Sequence, residues 1–540
     1  MTSKRQTLLV LAVYNAVACG TSGGGEGTGS AADDSGTGGG TPGSATTPDP
    51  SSDPSVDSTV DDSGPGPTTN DGTDGSTGEP PMAVSTVAEL LVPFDVNLSD
   101  LEGPAGWSTQ YGKSPEIVAV PKGGAIDVLV QDYAAGPNGS AFVLRLEALA
   151  DDYVITAVLE PPLLDRVMGL ARDDDDALYV ASGIDETDTL TLDSPTPGEY
   201  RPGIVRVVKQ TWDGTVAFDI DLDPARQAVG DAAELLINPM VAGTSRLAWG
   251  NDTIALLHGI NTDTDWAIEA RHQKALTTHL SATSGDVTRT SSIWVSHSFD
   301  QRLFHDGTGF IEMHLGDAYP RDVVLARVEP DSGAYSLLAI KGDLGWNNTY
   351  TRLGNAVPIA DDPTYGYLAL FATESTSTTE GMVAGSRELG LVRIRRDFET
   401  VAPDGAYLDP ALPDTFDVVS SGTPRQNRLR WLTSYESQTA GQSHAERPKL
   451  VALGDGGFVV LWERWDGGGN TFAGTWGTVI DATGEATVPA AMLTDSHLPR
   501  GDDAFTLGSD AAWITGDSTA RALHVHVVDA QLTYRLIVVE

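Results

Sequence analysis

The residues best suited to chemistry lie close together between positions 294 and 322. Imidazole and carboxylate side chains recur there beside one arginine, and the five candidates are His297, Asp300, His314, Asp317 and Arg321. Near neutral pH a histidine moves protons, a carboxylate assists it or binds a metal ion, and an arginine holds a carboxylate or phosphate group. This set predicts a hydrolase or lyase site, provided that folding brings the side chains into one pocket.

Six of the ten histidines fall between positions 258 and 314, and they are His258, His272, His279, His297, His305 and His314. None of them has the His-x-x-x-His spacing of a helical zinc site. On a strand, alternate side chains face opposite sides, so His297 and Asp300 are expected to point apart. The alternative interpretation is therefore structural, with histidines inside strands and Asp317 capping a turn. His524 and His526, near the C-terminus, are expected on the surface of a strand.

Recognisable catalytic and cofactor motifs are missing from the sequence. It has no Gly-x-Ser-x-Gly nucleophile elbow and no phosphate-binding Gly-x-x-x-x-Gly-Lys-Ser/Thr loop. Acidic residues are too numerous for one carboxylate pair to stand out as a glycosidase dyad. We therefore expect no cofactor, leave a metal ion open, and favour a non-catalytic protein over an enzyme. Two polar loops that contain a tryptophan, Asn261–Trp266 and Trp465–Asn470, are suited to binding sugars.

Seven short hairpins recur along the chain, and they must position any site. In each, two apolar runs flank a turn rich in glycine, aspartate or asparagine, which accept the backbone angles of tight hairpins. The clearest pair is Ile117–Ile126 and Leu450–Val459, each with a Gly-Gly turn. The looser copies are Leu170–Ala181, Leu247–Leu257, Leu303–Met313, Leu353–Phe371 and Phe505–Ile514.

A second hairpin follows most of the first ones, as in Val323–Ile340. Similar second hairpins include Ile204–Val208 before Asp213-Gly214, Gly477–Ile480 before Thr483-Gly484, and Leu391–Ile394 before Asp404-Gly405. Two hairpins make a four-stranded unit, so residues 82–540 are predicted to form an all-β fold, a seven-bladed β-propeller. A pair of β-sandwich domains and an eight-bladed ring are the alternatives. The last strand, Tyr534–Val539, is expected to share its blade with Val84–Val96 and so close the ring.

The chain is strongly acidic, with 76 Asp and Glu against 33 Lys and Arg and a formal net charge of −43. Only eleven of the acidic residues fall in segment 20–81, so the folded region is acidic too. A field of this sign repels nucleic acid and anionic lipid, and neither DNA nor RNA is an expected partner. Segment 20–81 is rich in Gly, Ser, Thr, Asp and Pro and has no Lys or Arg, which predicts a disordered, extended tether.

The N-terminus carries an export signature. Lys4 and Arg5 precede a short apolar run, and three small residues, Ala16–Ala18, precede Cys19, the only cysteine in the chain. This arrangement resembles the lipobox of bacterial lipoproteins, which implies a signal peptide at residues 1–19 and a lipid anchor on Cys19. The residue after Cys19 is not aspartate, which favours the outer membrane or cell surface, with plain secretion as the alternative. The tether resembles those of myxobacterial lipoproteins in composition, and membrane contact is expected only through the anchor.

Two short segments, Val295–Phe299 (VSHSF) and Gly316–Arg321 (GDAYPR), resemble segments of uncharacterised bacterial surface proteins and imply no activity. Together, these observations predict a lipid-anchored cell-surface module that presents a β-propeller to an envelope protein or polysaccharide. An extracellular hydrolase or lyase with its site in residues 294–322 is the alternative, and a purely structural envelope protein is the third. No pattern in the sequence predicts an oligomeric state.

Overall fold

Antiparallel strands dominate the computed structural model. The structure describes residues 117–131, 141–150, 152–164, 166–184, 204–222, 235–237, 245–262, 272–296, 300–315, 321–328, 334–340, 351–360, 362, 365–377, 383–395, 417–420, 423–426, 430–439 and 442–540. Cys19, the tether and Val84–Val96 lie outside these residues. Within the described ranges there is one short helix, α1 (Tyr435–Thr439), and no helix long and apolar enough to span a membrane.

The strands assemble into seven antiparallel blades, each with four main strands in chain order. A short fifth strand joins blade 3, and a separate hairpin interrupts blade 5 before its last strand. Blade 1 contains β1 (Ile117–Lys122), β2 (Ala125–Gln131), β3 (Ala141–Leu149) and β4 (Asp152–Leu159). Blade 2 contains β5 (Arg166–Arg172), β6 (Leu178–Ile184), β7 (Ile204–Gln210) and β8 (Val216–Leu222). Blade 3 contains β10 (Arg246–Gly250), β11 (Thr253–Thr262), β12 (His272–Ser281) and β13 (Val287–Ser296), and the short β9 (Leu235–Ile237) pairs with β11.

The remaining blades follow the same plan. Blade 4 contains β14 (Asp300–His305), β15 (Phe310–Leu315), β16 (Arg321–Arg327) and β17 (Ala334–Ile340). Blade 5 contains β18 (Arg352–Pro358), β19 (Tyr365–Ser377), β20 (Val383–Arg395) and β23 (Arg430–Trp431), with a separate hairpin of β21 (Asp417–Ser420) and β22 (Thr423–Gln426). Blade 6 contains β24 (His444–Ala452), β25 (Phe458–Asp466), β26 (Thr471–Ile480) and β27 (Ala486–Thr494), and blade 7 contains β28 (Phe505–Leu507), β29 (Asp510–Asp517), β30 (Ala522–Val528) and β31 (Tyr534–Val539).

Each of the seven hairpins predicted from the sequence forms the first two strands of a blade, so both the fold class and the blade number are confirmed. The turns have the backbone angles that their residues suggested. Gly124 has φ +87°, while Asn251 and Asp252 have φ +49° and +55°. Two consecutive residues with positive φ match the right-handed twist of the flanking strands, which is why such turns favour Asn, Asp and Gly.

The first strands of the blades form the inner ring. Each contacts the first strand of the next blade, and β28 contacts β1 to complete the circle. The four described strands of blade 7 all come from residues 505–539, and the predicted contribution of Val84–Val96 lies outside the described residues. Blades 1 and 7 are joined by one apolar cluster that includes Ile126, Val128, Ile514 and Val525. The ring therefore closes through side-chain packing among the described residues.

The apolar core lies between neighbouring blades. Middle strands are buried on both faces, as in β15, where all six residues are buried. Ile311 and Met313 pack against blade 5, whereas Phe310 packs against blade 3. Outer strands such as β4 and β27 face solvent on one side and are largely exposed. This packing explains why inner hairpins have continuous apolar runs and outer strands do not.

Candidate functional site

Two of the predicted site residues, Asp300 and His314, face opposite sides of blade 4. Asp300 starts β14 and accepts a hydrogen bond at Oδ2 from the backbone N–H of Leu353 in blade 5, at 2.9 Å. Gln301, which follows Asp300 on β14, faces the opposite side of the blade, toward blade 3. His314 in β15 lies directly across from Gln301 and therefore points the same way. The described residues thus do not bring Asp300 and His314 into one pocket.

The other members of the predicted site add no described side chain to it. His297 and Asp317 lie outside the described residues, and Arg321 begins β16. Among the side chains that the structure describes, no group of three or more His, Cys, Asp or Glu residues is arranged to hold a metal ion.

Three histidines of the cluster lie along the interface between blades 3 and 4, but not at one point. His314 pairs with Gln301 at the end of β14 and β15 that is away from their connecting turn, whereas His279 and His305 line the cleft beside the hairpin turns. An apolar layer that includes Leu257 and Leu303 separates them. These histidines therefore belong to separate environments.

Two further described histidines, His258 and His526, also have structural partners. His258 hydrogen-bonds to Thr278 at 3.1 Å within blade 3. His526 was expected on the surface, but it is buried and stacks on Trp513 with ring centroids 4.7 Å apart. His524, next to it on the strand, is half-buried. His524 and His526 do alternate along β30, as predicted, but the face of the strand that carries His526 is buried.

Glu312 and His314 form a buried pair between blades 3 and 4, on the side of the interface away from the β14–β15 turn. Glu312 Oε1 and His314 Nδ1 are 3.8 Å apart, and neither atom has a hydrogen-bond partner among the described residues. The hydroxyl of Thr277 donates to the other carboxyl oxygen of Glu312 at 2.8 Å. Burial raises the pKa of Glu312 to about 7 and lowers the pKa of His314 to about 3. Both groups are therefore uncharged at mildly acidic pH.

The variant Glu312→Gln is expected to be more stable than the wild type at pH 8, by about 2–3 kcal/mol, and similar to it at pH 4. The pKa of Glu312 is raised on folding, so its stabilising contribution is present below pH 4.5 and is lost as the pH rises through 7. Glutamine resembles the protonated carboxyl at every pH. Urea unfolding at pH 4, 6 and 8 measures the difference, with the exposed Glu485→Gln as control. A stability difference that does not change with pH would contradict the buried-acid assignment.

Charged side chains converge where the inner strands meet the β27–β28 connection. Asp503 Oδ1 lies 2.8 Å from Arg302 Nε of blade 4, and Asp503 Oδ2 lies 3.7 Å from Arg246 Nε of blade 3. Asp502 accepts a hydrogen bond from Ala119 in blade 1 at 2.9 Å, and its carbonyl accepts one from Lys449 in blade 6. This axial charge cluster therefore links four blades.

The axial charge cluster is only partly paired, since Arg246 Nη2 is buried and has no hydrogen-bond partner among the described residues. Burial lowers the pKa of Lys449 and raises that of Asp502, so it disfavours the charged form of both. Burial also acts to raise the pKa of Asp503, but Arg302 and Arg246 hold it below its usual value. The ion pairs of Asp503 with Arg302 and Arg246 therefore join blades 3 and 4 to the β27–β28 connection.

The two loops expected to bind sugars do not form an exposed tryptophan site in the described residues. Trp465 is buried, and its indole N–H donates to Glu463 at 2.8 Å. The prediction for Trp465 is therefore wrong, because its ring packs inside blade 6 against Phe472 and His497. Trp266 lies outside the described residues.

An open cleft with the composition of a sugar site lies between blades 2 and 3. Its volume is about 320 Å³. It is lined by Asp173, Asp174, Asp175, Tyr179, Lys209, Trp249, Asn251, Asp252, Ala282 and Thr283. We call it the acidic cleft. Its walls are the first-hairpin turns of the two blades, which lie side by side because consecutive blades repeat the same hairpin.

The floor of the acidic cleft is fixed by hydrogen bonds. Asp173 accepts a hydrogen bond from Tyr179 at 2.8 Å and pairs with Lys209 at 3.1 Å. Burial alone would raise the pKa of Asp173, but these contacts and the N–H of Ala177 lower it, so the carboxylate stays ionised. The hydroxyl of Tyr179 also lies 3.0 Å from the carbonyl of Ala282 in blade 3. Asp173 is therefore a structural member of the cleft.

The rim of the acidic cleft is available to a ligand. Asp174, Asp175, Asn251 and Asp252 are exposed at the turns. Trp249, which is half-buried, lines the cleft beside them. The cleft therefore presents carboxylate and amide oxygens around an aromatic residue.

A second cleft lies on the other side of the Asn251 turn, between blades 3 and 4. Its volume is about 300 Å³, and it is lined by Gly250, Asn251, Thr253, His279, Thr288, Arg289, His305, Thr308, Gly309 and Phe310. We call it the basic cleft. The His305 ring lies directly on Gly250, where a Cβ atom would come within 2.2 Å of it, so only glycine leaves room for the ring.

Comparisons with known proteins give weak structural likenesses. The β-propeller domain of the Trilobed protease from Pyrococcus furiosus has 8% identity and a TM-score of 0.34, over 78% of this chain and 93% of that one. A Trypanosoma rangeli sialidase has 12% identity and a TM-score of 0.34 over 66% of this chain. A puromycin-hydrolyzing peptidase of Mycobacterium tuberculosis has 10% identity and a TM-score of 0.38, over 82% of this chain and 57% of that one.

The chain spans about half the length of the sialidases that it matches. No protein-family profile matches the sequence, and no curated protein matches it either. Likenesses at this level carry no information about activity.

Proposed function

We propose that this protein is a non-catalytic binding module whose propeller binds a glycan in the acidic cleft. The observation that carries the proposal is the rim of the acidic cleft, where the exposed Asp174, Asn251 and Asp252 lie around Trp249. Their carboxylate and amide oxygens accept hydrogen bonds from hydroxyl groups, and an aromatic ring beside them packs against C–H groups. A sugar unit offers both kinds of group.

The rim residues support the same ligand class. Carboxylate and amide oxygens of Asp174, Asp252 and Asn251 are suited to accept hydroxyl protons, and the Trp249 ring offers an apolar surface for C–H groups. The cleft is open, so a chain end or an internal unit of a polymer has access. These are the features of a small-molecule or sugar site with a few placed polar groups.

The setting that we propose is the bacterial cell surface. The lipobox-like sequence ending at Cys19 supports a lipid anchor at the outer membrane, and the Gly/Ser/Thr/Asp/Pro-rich segment 20–81 supports a tether between the anchor and the propeller. The partner is then a polysaccharide of the envelope or its surroundings. A hydrolase or lyase site built on both Asp300 and His314 gains no support, because these side chains face opposite sides of blade 4.

Glycan-array binding by the full-length chain tests this proposal. We expect Trp249→Ala to weaken the binding of the best oligosaccharide about 10-fold, because it removes the aromatic surface beside the rim. Trp212→Ala is the matched control, since Trp212 is also half-buried but does not line the cleft. Absence of glycan binding, or equal weakening by both variants, would contradict the proposal.

A further inference from the structure

The basic cleft differs in chemistry from the rest of this acidic molecule. None of its ten lining residues is Asp or Glu, although the chain has 76 of them. It contains Arg289, two histidines, and the hydroxyls of Thr288 and Thr308. The guanidinium of Arg289 gives this lining a positive charge, which favours an anionic group. The hydroxyls of Thr288 and Thr308 donate to the His279 carbonyl and to Asp306, so they add polarity to the cleft.

The arginine of the basic cleft is held in place by its neighbours. Arg289 Nη2 lies 3.1 Å from His279 Nε2 and donates to the carbonyl of Val328. Burial and the adjacent guanidinium lower the pKa of His279 to about 3, so the imidazole is neutral and accepts from Arg289. Edge contacts with Phe310, at centroid distances of 5.4 and 4.9 Å, fix the rings of His279 and His305. The site is therefore preorganised.

The acidic and basic clefts are neighbours on one surface. Asn251 lines both of them, and its side-chain amide donates to the carbonyl of Thr308 across the blade 3–4 boundary at 3.3 Å. The turn Gly250–Asp252 is all that separates the two linings in sequence. A ligand longer than one sugar unit bound in the acidic cleft is thus brought close to Arg289.

We infer that the basic cleft is a second subsite of the same glycan site, and that it binds the carboxylate of an acidic sugar. This inference rests on the proposed glycan-binding function. The acidic cleft takes the adjoining unit, which is neutral or carries an amine, because the aspartates there repel a second carboxylate. The ligand class is therefore an oligosaccharide in which uronic acids alternate with neutral or amino sugars.

The overall negative charge does not override this selectivity. At physiological ionic strength, charges more than about 8–10 Å apart are largely screened, so the groups lining each cleft decide its preference. The acidic surface acts chiefly on the rate of encounter, and it disfavours ligands with an acid on every unit.

Titration calorimetry on the full-length chain with three tetrasaccharides tests the inference. The probes are an N-acetylglucosamine tetramer, an alternating glucuronate–N-acetylglucosamine tetramer and a galacturonate tetramer. We expect the alternating probe to bind about tenfold or more tightly than either of the others. Equal affinity for the neutral and alternating probes would overturn the subsite assignment while leaving glycan binding intact. Failure of all three to bind, together with a negative glycan array, would remove the proposed function itself.

Substitutions in the basic cleft test which residue gives the preference for the alternating probe. Arg289→Gln is expected to lower the ratio of the affinities for the alternating and neutral probes from about tenfold to about one, because the carboxylate loses the guanidinium that binds it. The exposed Arg166→Gln is the matched control. His305→Gln is a second variant that keeps a donor of similar size beside Gly250, and it should retain the preference if folding is intact. Persistence of the preference in Arg289→Gln would overturn the inference.

Discussion

Replacing Glu463 with alanine is expected to lower the free energy of unfolding by about 3–5 kcal/mol. Glu463 has no solvent exposure and accepts hydrogen bonds from Arg447 at 3.0 Å, the N–H of Leu498 at 2.9 Å and the indole of Trp465 at 2.8 Å. His497 lies 3.0 Å away. These contacts tie the β27–β28 connection to blade 6. Removing the carboxylate leaves the buried Arg447 without its counter-ion.

Denaturant unfolding monitored by tryptophan fluorescence measures this loss. The control is Glu485→Ala, which removes a carboxylate whose side chain is 65% exposed and which pairs with Arg430 at the surface. Exposed ion pairs contribute about 0–1 kcal/mol, so the control should remain close to the wild type. Equal effects of the two substitutions would show that the buried network does not hold the connection.

Replacing Arg302 with methionine is expected to lower the free energy of unfolding by a similar amount, about 3–5 kcal/mol. The Arg302 side chain is 1% exposed and donates to the carbonyls of Gly354 at 2.9 Å and Leu353 at 3.0 Å, as well as contacting Asp300 and Asp503. Methionine has similar length but leaves two carboxylates and two carbonyls without these donors. The substitution therefore weakens the junction of blades 4 and 5 and the axial charge cluster together.

A second substitution separates charge burial from lost packing. In the double variant Arg302→Met with Asp300→Asn, the buried carboxylate of Asp300 is neutralised, and we expect at least about 1 kcal/mol of stability to return. The exposed Arg166→Met serves as the control for the arginine-to-methionine change. Strictly additive losses would mean that Arg302 and Asp300 do not depend on each other, contrary to the geometry.

Turn chemistry made the fold predictable from sequence. The Gly-Gly turn at Gly123 and the Asn-Asp turn at Asn251 mark hairpins locally, because few other residues adopt positive φ. Counting seven such hairpins gave the blade number. The ring closure was not predictable in the same way, because the packing of β31 and β4 depends on contacts between residues hundreds of positions apart.

The candidate site was harder to predict because its members come from separate hairpins. Asp174 and Trp249 belong to blades 2 and 3, and only the stacking of consecutive blades brings their turns together. The hairpins Leu170–Ala181 and Leu247–Leu257, which contain these turns, were both predicted, so placing equivalent turns of neighbouring blades side by side would have suggested the cleft. By contrast, proximity in sequence was misleading for Asp300 and His314, because their strands place the two buried side chains on opposite faces of blade 4.

Locating a bound oligosaccharide in a crystal of the full-length protein tests the central claim most directly. The ligand is the tightest binder from the glycan array. The account predicts electron density in the acidic cleft, with a sugar ring against Trp249 and the rim of Asp174, Asn251 and Asp252 around it. Density elsewhere, such as at the axial charge cluster beside Arg246, or an empty acidic cleft at saturating ligand, would contradict it.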